Sequence, residues 1–480
     1  MYHNRLQREL WEGVKIQMNR VDMKSSDHRL LEGFDWAKQQ ALVYAHAGDP
    51  VKRTGDPVGD WYEAALPGRD AFCMRDVSHQ GTGAQVLGLG SHNRNMLLKF
   101  AYNISESKDW CTYWEINKYD QPAPVDYTND QHFWYCLPAN FDVLDCCYRQ
   151  YLWTGDMYYI RLPIFLHFYD RTVNEYVARW DIDGDGLLEH LSKHGFRGLG
   201  TYNEGRWDIM TGADLIASQY AGYLAYANIQ EIRDNKSLAE EYRAKARRLK
   251  VLFNEKWWDE EAQEYYAAQL QDHSFWHPDI EGREEGRTLN HLPLYFGIVE
   301  EGRRTELVLD NLVKRTSEPG LEEKSYLPEI FWKHGRNDAA YDVLLQLTDP
   351  GLKRCEYPEV SYSVIGSVAT GMMGLSPDAG NNMISTMPRL TDETEWVEVR
   401  NIPVFGNKIC IRHVENEETT FINQSGPAVM WKATSPIEVD ELLLDGTPIR
   451  ATQEIGINGR KISYVTVNVK EGEQHKISAP

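Results

Sequence analysis

The sequence predicts a mainly α chain, a toroid of helical hairpins over residues 1–390, followed by a small antiparallel β domain over residues 391–480. Three observations point there. Apolar residues recur at helical spacing through one segment after another. Long loops rich in Gly, Pro, Asn and Asp separate those segments, and loops of that length usually build a site. After Pro388 the period drops to two, the spacing of a half-buried strand.

The helices can be read in order. "LPANFDVLDCCYRQYLWTGD" places Phe141, Leu144, Tyr148, Tyr151 and Leu152 on one side, and Thr154-Gly155-Asp156 ends it. "DLIASQYAGYLAYANIQEI" repeats the pattern with Leu215, Tyr220, Tyr223, Leu224 and Ile229. "LAEEYRAKARRLKVLFNEKWW" does so with Leu238, Tyr242, Leu249, Leu252 and Phe253. "RTELVLDNL" and "DAAYDVLLQL" are shorter helices of the same kind. No close sequence repeat is present, which argues against an ordinary solenoid. In the last part, "VEVRNIPVFGNKICIRHV", "TTFINQ", "AVMWKAT" and "KISYVTVNV" alternate, and "DGT" (Asp445–Thr447) and "NGR" (Asn458–Arg460) are hairpin turn signals. A β-sandwich-like unit that packs on the helices is expected.

Bulk composition excludes some partners. With 51 basic and 72 acidic residues the net charge is −21, which disfavours nucleic acid and anionic membrane surfaces. No apolar run approaches the length of a spanning helix. The opening "MYHNRLQRELWEGVKIQMNRVD" lacks the apolar core of a signal peptide, so the chain as it stands reads as cytoplasmic, and as secreted or periplasmic if a leader preceded it. The seven Cys match no zinc spacing and read as buried thiols in a reducing compartment. The 15 Trp and 27 Tyr suit a large core and also the faces of sugars.

"WDIDGDGLLEH" resembles a calcium loop. Counted from Asp181, the ligand positions hold Asp181, Asp183, Asp185, the Leu187 carbonyl and Glu189, with Gly186 at the turn. Position twelve is Ser192, so the closing Glu of an EF-hand is missing. Either the loop binds calcium with help from elsewhere, or it is a solvated Asp/Gly turn.

Three further stretches carry candidate chemistry. "LPGRDAFCMRDVSHQGTGAQVLGL" crowds Arg69, Asp70, Arg75, Asp76 and His79 before a small apolar segment, as a salt-bridged helix start or a polar pocket floor would. "TYNEGRWDIMTGADL" sets Glu204 and Asp208 four apart between Tyr202 and Trp207. Desolvation of Asp208 beside Trp207 would raise its pKa and suit a general acid; the plainer role is a helix cap. "KRCEYPEVSYSVIGSVATGMMGL" places Glu356 and Glu359 before a buried helix expected to begin near Ser361. Pro358 favours an extended Tyr357, so only one of the two Glu side chains faces a pocket easily. Glu356 is the first choice for the base, Glu359 the second, and Glu323 or Glu329 in "EEKSYLPEIFW" the reserve. Carboxylates on different hairpins suggest glycoside hydrolysis.

These motifs resemble the six-hairpin (α/α)6-barrel glycosidases, especially the trehalase and processing α-glucosidase group, over roughly residues 40–390. "LPGRDAFCMRDVSHQ…LGL" is similar to that group's "PGGRF…YYWDSYF…GL", with Asp76 at the matching Asp. "EGRWD" is similar to "ESGWD", which places Asp208 at the general acid and Glu204 at the Glu. "EYPEVSYSVIG" is a shorter version of the late motif near the base. The resemblance implies an inverting, exo-acting hydrolase of an α-linked, glucoside-like bond, with Arg75, Asp76, His79, Tyr202, Glu204 and Trp207 contacting sugar. It implies a structural calcium at "DIDGDGLLEH" and no organic cofactor. The sequence departs from the pattern at Arg75, where the group has Trp, and at Arg206. An all-helical barrel with a C-terminal β domain is also similar to the α-L-rhamnosidases. A sugar phosphorylase, an epimerase and a carbohydrate-binding protein without catalysis are the other readings, and the oligomeric state is left open.

Overall fold

The computed structural model describes residues 21–49, 51–66, 68–277, 291–317, 320–457 and 459–480. Residues 1–20 of the opening segment and Asn458 of the second turn signal lie outside the described residues.

Among the described residues twelve α-helices are longer than four residues. They are α1 (His28–Val43), α2 (Met74–Val86), α3 (Gly90–Tyr102), α4 (Ala139–Thr154), α5 (Pro163–Arg171), α6 (Ala213–Ile232), α7 (Lys236–Lys256), α8 (His291–Phe296), α9 (Arg303–Lys314), α10 (Leu327–Lys333), α11 (Asn337–Thr348) and α12 (Pro358–Ser367). The even-numbered helices pack in sequence: α2 on α4, α4 on α6, α6 on α8, α8 on α10, α10 on α12, and α12 back on α2. Among the odd-numbered helices, α1 packs on α12, α7 on α6 and α11 on α10. Burial follows this division. On α6 the apolar and small residues run all round, as an enclosed helix requires, and fifteen of its residues are buried. On α7 only one face is buried, through Ala239, Tyr242, Ala246, Leu249 and Phe253.

The helix ends obey local rules. Gly155 ends α4 at φ 67°, in the left-handed region expected of a Gly cap. Asp27 caps α1 by accepting from the Arg29 and Leu30 N–H groups, and its other oxygen accepts from Tyr341 of α11. Pro358 occupies the first turn of α12, where its missing N–H costs nothing. The small residues of "GTGAQV" and "SYSVIG" serve close approach. A Cβ on Gly83 of α2 would sit 2.0 Å from the Tyr362 carbonyl oxygen of α12. Gly83→Ala should therefore force the two helices apart at a cost of about 1–3 kcal/mol, read as a lowered Tm; an unchanged melting curve would refute this packing.

Among the described residues the loops of the helical part carry seven small sheets of two or three strands, and the two largest sheets lie mostly in the last part of the chain. The first runs Asp22–Ser25, Trp396–Val404, Asn407–Val414, Glu418–Ser425, Gln474–Ser478, Glu441–Leu444, Thr447–Arg450. The second runs Ser376–Asp378, Met383–Thr386, Val429–Ser435, Lys461–Val469, Thr452–Ile455. Phe421 of the first stacks on Trp431 of the second at 5.2 Å. The "DGT" signal is a two-residue hairpin with Asp445 and Gly446 at φ 51° and 82°. Two features differ from the sequence reading. Strands at 22–25 and 376–386, before residue 391, belong to these sheets, and Met383–Thr386 pairs parallel with Val429–Ser435. The sheet region is fastened to the segment that follows α12. His413, fully buried, meets the Met373 carbonyl at 3.1 Å, and Arg389 donates to the Gly371 carbonyl at 2.6 Å.

Six of the Cys are buried free thiols and Cys355 is exposed. Among the described residues no helix is long and apolar enough to cross a membrane.

Candidate active site

The starts of several of these helices meet at one place. Asp76 lies in the first turn of α2, Asp142 in that of α4, Asp214 in that of α6 and Glu359 in that of α12. Glu322 starts the short helix Leu321–Lys324. First-turn carboxylates are favoured by the partial positive charge of the free N–H groups there. One oxygen each from Asp76, Glu322 and Glu359 lies within 4.8 Å of the other two.

Arg75 holds this cluster together. Its guanidinium pairs with Glu322, lies 3.4 Å from Asp76 through Nε, and 3.9 Å from Glu204 through Nη1. The same group stacks over the Tyr202 ring at 5.3 Å. Tyr202 donates through its hydroxyl to Asp142 Oδ2 at 2.5 Å, and its N–H donates to Asp214 Oδ2 at 2.6 Å. Asp214 thus fixes the loop that carries Tyr202 and Glu204. Glu204 is the most open member, its side chain 35% exposed. One turn along α2, His79 stacks flat on Tyr326 at 3.5 Å.

Burial sets the protonation. It raises Asp76 to about 7, against the pull of Arg75 and with the help of Glu322. It raises Glu359 well above the ordinary range, with Asp76 and Glu322 adding to the effect. Asp142 is pushed up to about 8 by burial, the Tyr202 hydrogen bond acting the other way. Several buried polar atoms here have no hydrogen-bond partner among the described residues: His79 Nδ1, Asp142 Oδ1, Asn203 Nδ2 and Glu359 Oε2. Unsatisfied buried groups in such a number are costly unless a ligand completes them.

Of the residues singled out in the sequence, Arg75, Asp76, His79, Tyr202, Glu204 and Glu359 come together. Three do not. Asp208 is half exposed and doubly hydrogen-bonded to Arg206, which holds its carboxyl below the usual range. The desolvation expected from Trp207 is missing because Trp207 is itself 51% exposed and packs edge-on against Phe196. Nor does Asp208 cap a helix: Ile209–Gly212 is a strand, and α6 begins at Ala213. Glu356, the first choice for the base, is exposed. The reason is Pro358. It starts α12 three residues earlier than Ser361, so Glu359, not Glu356, falls in the buried first turn. Tyr357 is extended before it, with φ −124° and ψ 117°, as a residue before Pro should be. Glu322 and Asp142 were missed. Glu322 lies beside Glu323 in a segment already in view, and only the fold distinguishes the two; Asp142 lies in a helix whose apolar side alone was read.

The acidic loop stands nearby. Asp181, Asp183, Asp185 and Glu189 bring four oxygens within 4.8 Å of one another. Asp181 accepts from the Gly184 and Gly186 N–H groups, Asp183 from Asp185 and Asp185 from Leu187. Glu189 folds back to accept from the Ile182 N–H at 2.6 Å. Among the described residues none of these four carboxylates forms an ion pair with a basic side chain. The loop is tied to strand Ile209–Gly212, since Thr211 donates to the Leu188 carbonyl at 2.8 Å.

The fold is of the six-hairpin glycosidase type. Residues 121–355 match the bacterial alpha-L-rhamnosidase six-hairpin glycosidase domain. The fold is similar to the family GH78 rhamnosidase of Bacillus sp. GL1 (TM-score 0.59, 13% identity, 84% of this chain and 40% of that one). It is also similar to an alpha-L-rhamnosidase from Dictyoglumus thermophilum (0.59, 14%, 95% and 50%). A putative kojibiose phosphorylase from human microbiome shares it as well (0.57, 10%, 94% and 63%). The chain thus spans 40–63% of the length of these three proteins. No curated protein matches the sequence.

Proposed function

We propose that the chain is a glycoside hydrolase acting on an α-L-rhamnoside or a closely related neutral sugar. The observation that carries this reading is the arrangement around Arg75: buried, proton-holding Asp76 and Glu359 on one side, the more open carboxylate Glu204 on another. Asp76 and Glu359 supply the proton that the departing oxygen needs, and Glu204 activates water. Asp76, Glu322 and Glu359 are too close to one another to admit a water between acid and base, since inverting pairs stand about 6.5–9.5 Å apart. Glu204 at the open side is the better partner. Tyr202, Arg75 and His79 line the sugar. The match over residues 121–355 favours a rhamnoside over the α-glucoside that the sequence motifs suggested. The cyclic packing of the even-numbered helices supports the (α/α)6-barrel reading.

The test is a panel of aryl glycosides headed by the α-L-rhamnoside, with the first-formed anomer read by NMR. Turnover with inversion is the expected result; turnover of the α-glucoside alone would return the assignment to the sequence reading, and no turnover on any member would reject it. Inorganic phosphate is included because of the phosphorylase neighbour; a phosphate-dependent sugar phosphate would replace hydrolysis by phosphorolysis.

The acidic loop suits a structural calcium ion held by Asp181, Asp183, Asp185 and Glu189, with the Leu187 carbonyl as the further ligand its spacing offers. The ion would neutralise carboxylates that otherwise repel. A chelator should then lower Tm and added calcium restore it. Coincident melting curves would leave the loop as an Asp/Gly turn.

A further inference from the structure

The tautomer of His79 follows from its neighbour. The Ser325 hydroxyl has one proton, and it donates that proton to the Glu322 carbonyl at 2.6 Å. His79 Nε2 lies 2.8 Å from the same Ser325 oxygen. With its only proton already given, Ser325 can only accept there, so Nε2 carries the imidazole hydrogen. Nδ1 is therefore a bare acceptor. It is buried, and among the described residues no hydrogen-bond partner reaches it. The ring cannot turn away, because one face lies on Tyr326 at 3.5 Å and Tyr295 closes edge-on at 6.2 Å. Burial and the nearby Arg149, His291 and Arg75 keep the imidazole neutral.

His79 lies three residues after Asp76, on the same face of α2 and one turn deeper. A sugar whose glycosidic oxygen met Asp76 would have its ring about one helical turn, roughly 5 Å, from His79. We propose that His79 Nδ1 accepts a hydrogen bond from one hydroxyl of the bound sugar, and that this acceptor sets which ring position must carry an O–H. The assignment rests on the glycoside reading above. A site built to pair a hydroxyl rejects the analogue that lacks it, because its own buried polar atom is then left unpaired.

The test has two arms. In the first, 15N-histidine-labelled protein is examined by long-range 1H–15N NMR. An Nε2–H tautomer for His79 is expected; an Nδ1–H tautomer overturns the proposal whatever the activity. In the second, deoxy and fluoro analogues of the aryl glycoside with the highest turnover are compared in wild type, His79→Phe and His79→Gln. At one ring position both analogues should lose at least about 10²-fold in kcat/KM with wild type, since fluorine cannot donate. That discrimination should vanish in His79→Phe and persist in His79→Gln, whose amide oxygen still accepts. Should His79→Phe fail to fold, the wild-type and His79→Gln profiles decide alone: no discriminated position in either overturns the proposal. Discrimination that survives in folded His79→Phe also overturns it. An Nε2–H tautomer in a protein that turns over no glycoside and binds no sugar rejects the functional reading, and the hydroxyl contact with it.

Discussion

Asp76→Asn should lower turnover by at least about 10²-fold while the protein stays folded, because the amide keeps the shape of the carboxyl but cannot donate the proton. Asp208→Asn should leave turnover near that of wild type, since Asp208 points into solvent on Arg206. The pH profile adds a second check. An acid catalyst works only while protonated, so activity should fall as pH rises through about 7, the value to which burial lifts Asp76. The variant's residual activity should lack that limb. If Asp208→Asn is the crippled variant instead, the acid lies on the exposed loop and the cluster around Arg75 is a binding feature.

Arg75→Met should have the largest effect on stability. Removing one partner of a buried charge network leaves its carboxylates uncompensated, typically at a cost of about 3–5 kcal/mol. The sign of the pH dependence follows from the raised carboxyls. Asp76 in the folded state holds its proton to about 7, whereas in the unfolded chain it loses it near about 3.9. Between those values the folded state binds more protons, so this group's contribution to stability falls as pH rises. Without Arg75 the folded-state value moves higher still and the decline continues to higher pH. Denaturant melts of wild type and Arg75→Met at pH 5 and pH 8 should show the gap between them widening at the higher value. A gap independent of pH would mean that Arg75 acts by packing alone.

Much of the fold was legible because periodicity and turn chemistry are local. Gly155 stops α4, and Asp445-Gly446 makes its hairpin, for reasons contained in a few residues. The site was legible in part. Asp76, Glu204 and Glu359 stand in motifs whose composition is odd for a surface, and the fold gathers them. The desolvation expected at Asp208 fails because it is a property of the surroundings: a neighbouring Trp signals burial only if the Trp is buried. Glu356 lies exposed because the start of α12 depends on one residue, Pro358. The strand Ile209–Gly212 reads "IMTG", too short for periodicity to decide. Asp22–Ser25 reads "DMKS", and nothing in four such residues announces a strand; its partner at Trp396–Val404 supplies the reason.

That last pairing has a consequence for how the molecule is made. Asp22 stands opposite Arg400, and Ser25 opposite Val397. The earliest described strand has no mate until some four-fifths of the polypeptide has been synthesised. At a ribosomal pace of about 5–20 residues per second, the edge of Asp22–Ser25 waits tens of seconds with its backbone groups bonded only to water. Contacts this remote in sequence also close late, because the loop entropy must be met before they form. Severing the gene near residue 390 would orphan that edge and strip the sheet of its first strand, so the two fragments should be recovered together or in aggregates.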